Sequence, residues 1–461
     1  MAAINPLVNS QSNKIWRETI NDHSTILQSK VVRWNGTSYF AESTINNAIT
    51  NAGSGDTIFL KSGVFTENIV LNKPGITIIG EGPGTWDGNT CVGGTQINPP
   101  TSGSVGFSWQ DAAVNCRLQD VALVASSNLN ELSFFGSTGT PVFNCVVENV
   151  SWYGNGINIH NVEFRGKNWY VKNVKSYNAG NHNFAIKASD STFRDVFVDT
   201  NGDENASAII VKSHSSANYG NCKNTIIDGW KVIFRGTTHS QGGIFISNAD
   251  AVNEVTDNII IKNGYVENAS SGNNFGIYIK GPGENIGSVS SYSDLGRSGN
   301  IIKNVSIDNC VFKGVIVGVL FHLGFHDQAG KGIDGVVIRD CSFIDPLPLG
   351  SASRVGVQNN WVSTLTAPNP DTTHFSVAKN VVVSNCYAIG YQANKIVVTT
   401  DSTDSNNANS ETPDVYNGGS LVGQVSSSSG VAYSGDLNTT SDITSLAKKT
   451  FVNNITSLNR T

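Results

Sequence analysis

Charge is scarce in this chain. Of its 461 residues only 14% are Asp, Glu, Lys or Arg, and methionine occurs once. In place of helix-favouring charged residues stand 47 glycines together with Asn, Ser, Thr and Val, a composition that favours turns and strands. A basic excess is also missing, since 30 Lys and Arg face 36 Asp and Glu for a net charge of −6. That argues against a dedicated nucleic-acid binder. No apolar run approaches the roughly 18 residues that span a bilayer, so membrane insertion is not expected. The opening Met1-Ala-Ala-Ile-Asn-Pro6 has neither the basic nor the apolar region of a signal peptide. The seven cysteines are odd in number and lack a CxxC spacing, so neither a disulfide framework nor a zinc site is indicated, and no metal or cofactor is expected.

What is present is repetition. A small residue, alternating apolar residues and a basic or hydroxyl side chain recur as Gly156-Ile-Asn-Ile-His160, Asn183-Phe-Ala-Ile-Lys187, Ala208-Ile-Ile-Val-Lys212, Gly243-Ile-Phe-Ile-Ser247, Gly276-Ile-Tyr-Ile-Lys280 and Gly318-Val-Leu-Phe-His322. A phrase returning every few tens of residues marks one unit stacked on itself, because a single unit cannot bury its apolar face alone. A second phrase carries Asn or Asp in its middle, as in Leu118-Gln-Asp120-Val, Val147-Glu-Asn149-Val, Val171-Lys-Asn173-Val, Ile227-Asp228-Gly and Ile307-Asp308-Asn309-Cys. Its uneven spacing, from about 20 to about 45 residues, predicts a constant rung with loops of variable length. Cys310, Cys341 and Cys386 each follow that Asn or Asp, which predicts one stacked column of buried thiols or a bridge between rungs. About a dozen rungs at ~4.8 Å would make a rod on the order of 55 to 60 Å long.

Before the rungs, Trp16, Ile20, His23 and Leu27 form one helical stripe, read as a cap or an attachment helix. A second short helix is predicted over 43–53, with Ser43 as N-cap and Gly53 as its stop. The pattern then switches to period two through Asp56-Thr-Ile-Phe-Leu, Gly63-Val-Phe-Thr-Glu-Asn-Ile-Val-Leu and Ile76-Thr-Ile-Ile-Gly-Glu-Gly82. A short helix followed by these three phrases, Gly55 through Gly82, resembles the opening of the right-handed parallel β-helix proteins of the pectin-lyase-like superfamily. The resemblance implies an all-β solenoid with a helical N-terminal cap. It leaves activity open, because that superfamily includes lyases, hydrolases, esterases, epimerases and non-enzymatic virion spikes. The expected organisation is an attachment or capping segment over 1–42, the β-helix over 43–400, and a polar extension over 401–461. The extension ends in a helical stripe of Ile443, Leu446, Phe451, Ile455 and Leu458.

Alternation assigns faces to the first phrase. Phe184/Ile186, Ile209/Val211, Ile244/Ile246, Ile277/Ile279 and Val319/Phe321 point inward with Ile157/Ile159. The outward face then carries Ala185, Ile210, Phe245, Tyr278 and Leu320 beside His160, Lys187, Lys212, Ser247, Lys280 and His322, which is unusually apolar for a surface. Either the chain's loops or a neighbouring subunit covers it, or it is a sugar groove. In a groove, Phe245 and Tyr278 would stack on pyranose rings while Lys187, Lys212, Lys280 and His322 hold acidic groups. Catalytic carboxylates are sought in the loop Asp199-Thr-Asn-Gly-Asp203-Glu204-Asn205 before the Lys212 strand, where Asp199, Asp203 and Glu204 are the candidates; glycoside hydrolysis needs a proton donor and a base or nucleophile. The same loop also reads as an ordinary turn or a Ca²⁺ site. His182, Lys187, Lys212 and His214 offer a different chemistry, β-elimination or epimerisation of uronic acids, and His322 with His326-Asp327 offers a metal site or ordinary loop residues.

The polygalacturonase Asn-Thr-Asp and Gly-His-Gly phrases are missing, as are the pectate lyase and pectin methylesterase signatures. A β-helix with an apolar outer face, no signal peptide and added segments at both ends resembles the tailspike or fibre-like proteins of bacteriophage virions. That resemblance implies a homotrimer that binds host surface glycans, contacts other virion proteins and, in some cases, depolymerises polysaccharide. It implies a virion protein made in the host cytoplasm; an extracellular protein exported without a signal is the alternative. The rival functional class is a carbohydrate-active enzyme, a hydrolase, lyase or epimerase of a cell-surface or uronate polymer.

Overall fold

Period-two alternation does produce strands, and the strands coil. Among the described residues of the computed structural model nearly every regular element is a strand, and these fall into one sheet of 21 strands, one of 11 and a two-stranded hairpin. The described residues lie between 28 and 424. Outside them are 1–27, 89, 101–104, 111, 126–130, 137–141, 157–159, 201–206, 214–220, 236–241, 249–253, 271, 273, 282–299, 324–331, 345–354, 362–376, 390–396, 401–413, 418–419 and 425–461. The expected helices at Trp16–Leu27 and Ile443–Leu458 therefore lie outside the described residues.

Successive strands alternate between the sheets. His160–Lys167 lies in the smaller sheet, Tyr170–Tyr177 in the larger, His182–Ser189 in the smaller and Thr192–Thr200 in the larger. Each pairs in parallel with the strand one coil on, Val162 with Phe184 and Val171 with Phe193. Coil length varies widely, since Ile277 pairs with Val319, yet the register of the apolar positions is kept. The fold is an all-β parallel solenoid. Its inward residues form one continuous core that includes Phe164, Phe184, Ile186, Ile209, Ile244, Ile277 and Val319. Part of this core is filled by tilted and edge-on rings, Trp109 by Trp169 at 5.2 Å and Phe135 by Phe164 at 5.3 Å.

The Asn/Asp phrase is a bend rather than the middle of a straight strand. Asp120, Asn149, Asn173, Asp195, Asn263, Asn309, Asp340 and Asn385 all have φ between 51° and 57°, the left-handed region that Asn and Asp tolerate best among residues with a Cβ. In the Ile227-Asp228-Gly229 coil the place belongs to Gly229, φ 69°, rather than to Asp228. A second column the sequence reading overlooked turns the preceding corner: Asn115, Asn144, Asn168, Asp190, Asn224, Asn258 and Asn304. Side chains bond up both columns, Asn173 Nδ2 to Asn149 Oδ1 at 3.1 Å and Asn168 Nδ2 to Asn144 Oδ1 at 2.9 Å. Cys310, Cys341 and Cys386 do stack beside the first column as free thiols, each donating to a backbone carbonyl.

At the N-terminal end the motif residues hold the cap together. The helix is Ile45–Asn51 and its N-cap is Thr44, not Ser43: the Thr44 hydroxyl accepts from the Asn47 N–H at 3.0 Å, while the Ser43 hydroxyl takes the Asn47 side chain. Ala52, rather than Gly53, is the C-cap. Glu67 accepts from the Ile45 and Asn46 N–H groups, and Asp56 accepts from the Gly53 N–H and pairs with Arg33 at 3.0 Å. The strands Val31–Trp34 and Tyr39–Glu42 pair antiparallel, and Val31–Trp34 also pairs with Thr57–Leu60. The acidic residues of the opening motif are thus occupied in capping.

Candidate active site

The outward face of the smaller sheet is divided. From Ala185 onward its central column runs Ala185, Ile210, Phe245, Tyr278, Leu320 in register, and these side chains form a separate apolar cluster. Within the single chain they are already buried, with Tyr278, at 8%, the most exposed of the five. A neighbouring subunit is not required to cover them, which removes the physical reason given above for a trimer. Phe245 and Tyr278 stack on each other at 5.2 Å and are buried, so neither presents an open ring face. Lys280 follows Tyr278 in register with Ser247 and His322; of the His322 side chain only this backbone register is described.

One coil earlier the same column holds Glu163, aligned with Ala185 and, on the other side, with Phe134. Glu163 is 1% exposed, and burial alone would favour its neutral form. Its partners reverse that. Lys187 Nζ lies 3.0 Å from Oε1, Arg165 Nε bonds the same oxygen, and His160 Nε2 is 3.7 Å from Oε2. Against the burial term, these hold the carboxyl ionised, at about 2. Arg165 in turn lies over the Phe134 ring at 4.7 Å.

Glu131, on the strand Glu131–Phe135 and in register with His160, shows the opposite shift. Burial, the charge of Glu163 and a hydrogen bond with it push Glu131 up to about 8, despite Arg165 and Lys187. Two carboxyl groups in one site therefore differ in protonation at neutral pH, Glu131 carrying the proton and Glu163 the charge. Lys187 is lowered by burial, with Lys212 and Arg165 adding to the effect, although Glu163 opposes it. Lys212 stands one residue past the Ile186–Val211 pair, as Lys187 does, so the three cations run along adjoining strands. The His160 and His182 rings stack at 5.1 Å; His182 is held neutral by burial and bonds Ser207 through Nδ1 at 2.9 Å.

One donor atom each from Glu131, His160 and Glu163 fall within 4.8 Å of one another, a spacing that a metal ion could use. The charges argue otherwise. Lys187 and Arg165 already occupy Glu163, and a divalent cation would meet both at contact distance. The cluster is suited to an anionic group instead.

Of the carboxylates sought by sequence, Asp203 and Glu204 lie outside the described residues, as do His214 and His326-Asp327. Asp199 lies on the larger sheet and is clamped by Arg235, Nε to Oδ1 at 2.8 Å and Nη2 to Oδ2 at 3.0 Å. The structure brings together Lys187, Lys212 and His182 and leaves Asp199 apart from them. Glu131, Glu163 and Arg165 were missed. Their signal was available: Glu163 and Arg165 lie two apart on the strand that opens at His160, and the inward Val162 and Phe164 put both on the outer face.

No protein-family model and no curated protein matches this chain. Several solved structures are similar in fold. The catalytic domain of a GH87 α-1,3-glucanase is 14% identical, with 82% of this chain and 68% of that one covered at a TM-score of 0.46. A mannuronic acid specific polysaccharide family 6 lyase from human gut microbiota is 14% identical over 80% and 77%, TM-score 0.45. The Dettilon tailspike protein is 11% identical over 78% and 62%, TM-score 0.45.

Proposed function

We propose that this protein cleaves an acidic polysaccharide at the outer face of the smaller sheet, by β-elimination. The observation that carries the reading is the pair flanking Glu163: an acid, Glu131, with raised proton affinity, and an amine, Lys187, with lowered proton affinity. Sites that run acid and base chemistry near neutral pH are built by pushing such groups toward one another. Arg165 and Lys212 stand on the strands adjoining Lys187, and their charges would face a uronate carboxylate while Lys187, with its lowered proton affinity, serves as the free amine. With that carboxylate neutralised, the adjoining C5 proton passes to the Lys187 amine. The C4–O bond breaks, Glu131 donates its proton to the leaving oxygen, and a C4–C5 double bond remains. Hydrolysis is less well supported among the described residues, because Glu163 is 1% exposed and bonded by both Lys187 and Arg165, which leaves no second described carboxylate of the cluster to act as nucleophile or base.

Incubation with alginate, polygalacturonate and neutral dextran tests this. The expected result is the ultraviolet absorbance of an unsaturated uronate from an acidic polymer alone, reduced about 100-fold or more in Glu131→Gln. New reducing ends without that absorbance would overturn elimination. Full activity in Glu131→Gln would remove Glu131 from the mechanism. Binding to an acidic polymer without any product would leave the glycan-binding virion spike as the better reading. In that case light scattering at three times 49.0 kDa is expected, and a single-chain mass would count against it.

A further inference from the structure

On the other side of the corner before the smaller sheet lies a second feature that the cleavage chemistry does not use. The hairpin Thr85–Trp86 and Cys91–Val92 folds so that the Trp86 ring stacks on Tyr153 at 4.8 Å and 13° and reaches Tyr177 at 5.8 Å, with Tyr153 on Tyr177 at 5.0 Å. Beneath it is a cavity of about 400 Å³, within the range of small-ligand pockets. Trp86 and Tyr153 line it together with Gln96, Asn98, Asn155 and Asn178, and no lining residue is charged. The Gln96 amide is fixed by donating to the Cys91 and Gly93 carbonyls at 3.1 and 3.0 Å. Asn98 Oδ1 is buried and accepts no hydrogen bond. A buried acceptor without a donor is unfavourable, and a bound hydroxyl or amide N–H would supply the missing hydrogen bond.

A tryptophan wall with side-chain amides and no charge among the described lining residues suits a ring that has an apolar face and hydroxyl or acetamido groups at its edge. We infer that this cavity binds an uncharged sugar ring, and that it is a subsite for the polymer handled at Glu131. The inference rests on the glycan reading above for its ligand class. The chain itself keeps the two places close. Asn178 in the lining stands four residues before His182 of the cluster, a span of at most about 14 Å. A few linked rings would bridge it, with acidic rings at the cations and a neutral ring at Trp86.

Calorimetric titration of the full chain with hexamers of N-acetylglucosamine, glucose and galacturonate tests the subsite. A neutral hexamer is expected to bind, to weaken about tenfold or more in Trp86→Ala and to recover in Trp86→Phe. Because the hairpin is hydrogen-bonded to neither large sheet, the circular dichroism of Trp86→Ala is expected to keep the β-sheet signal of the parent, and recovery in Trp86→Phe shows that loss of binding is not loss of fold. Absence of binding by both neutral hexamers, or wild-type binding by Trp86→Ala, overturns the subsite. The cleavage reading would survive that result, because it is tested separately by turnover of acidic polymer.

Discussion

The outer faces of the two sheets carry similar charges in opposite circumstances. On the larger sheet, cations and carboxylates pair from rung to rung across open surface: Arg339 with Asp308 at 2.7 Å, Lys313 with Glu267 at 3.1 Å, Lys303 with Asp257 at 3.4 Å. The cation side chains there are between 40% and 51% exposed, and each charge has water as an alternative partner. On the smaller sheet, Glu163 and Lys187 are 1% and 8% exposed and meet Arg165 and His160 away from water. Surface pairs serve solubility and cost little to form, whereas a buried group of mixed charge is expensive to assemble. The second arrangement is the one that calls for a functional explanation.

Removing Glu163 tests the comparison most strongly. Glu163→Gln takes from the buried Lys187 and Arg165 the carboxylate that both of them bond, and the expected loss is about 3–5 kcal/mol of unfolding free energy. Urea unfolding at neutral pH reads it. A loss under about 1 kcal/mol would mean that water reaches these cations as freely as it reaches those of the larger sheet.

Glu131→Gln is expected to have a smaller effect that changes with pH. The folded-state affinity of Glu131 is raised to about 8 from an ordinary carboxyl value near 4.5, so its favourable contribution is complete below about 4.5 and is lost as pH rises through 8. Glu163 behaves in the reverse sense: its contribution is present above about 4.5 and is lost as pH falls through about 2. Glutamine mimics protonated Glu131 without titrating. The variant should therefore match the parent in stability below about pH 4.5, exceed it by a margin that grows as pH rises from there to 8, and lose most activity throughout. Parallel stability curves for the two proteins from pH 5 to 9 would show that Glu131 titrates normally.

The solenoid was legible because its causes are local and periodic. Alternation gave the inward column of Ile186, Val211 and Ile246, and the Gly55–Gly82 phrases pointed to the capped opening. The bends were only partly legible: Asn149 and Asn309 were seen as recurrent, but a left-handed φ is a property of the coil, and Gly229 filled the same place without the expected side chain. The site was least legible, because it depends on register between coils of unequal length. Lys187 and Lys212 end obvious phrases and were found. Glu131 and Glu163 belong to strands outside the main phrase and join those lysines only when Glu131 aligns with His160 and Glu163 with Ala185. Asp199 attracted attention as one acid of an acid-rich stretch, although its partner Arg235 lies a coil away.

The smallest effect is expected on the larger sheet, and it is the control for the others. Asp308→Asn breaks the pair with Arg339, whose side chain is 51% exposed and remains hydrated without it. Asp308 is 22% exposed and its neutral replacement keeps the shape and one acceptor. The expected change is about 0–1 kcal/mol, shrinking further in 0.5 M salt as exposed charges are screened. Glu163→Gln is the same chemical change on the other sheet, and its loss should persist in salt because ions do not enter the buried cluster. Equal salt sensitivity in the two variants would mean that the sheets do not differ as described, and the case for an anion-binding site at Glu163 would fall with that difference.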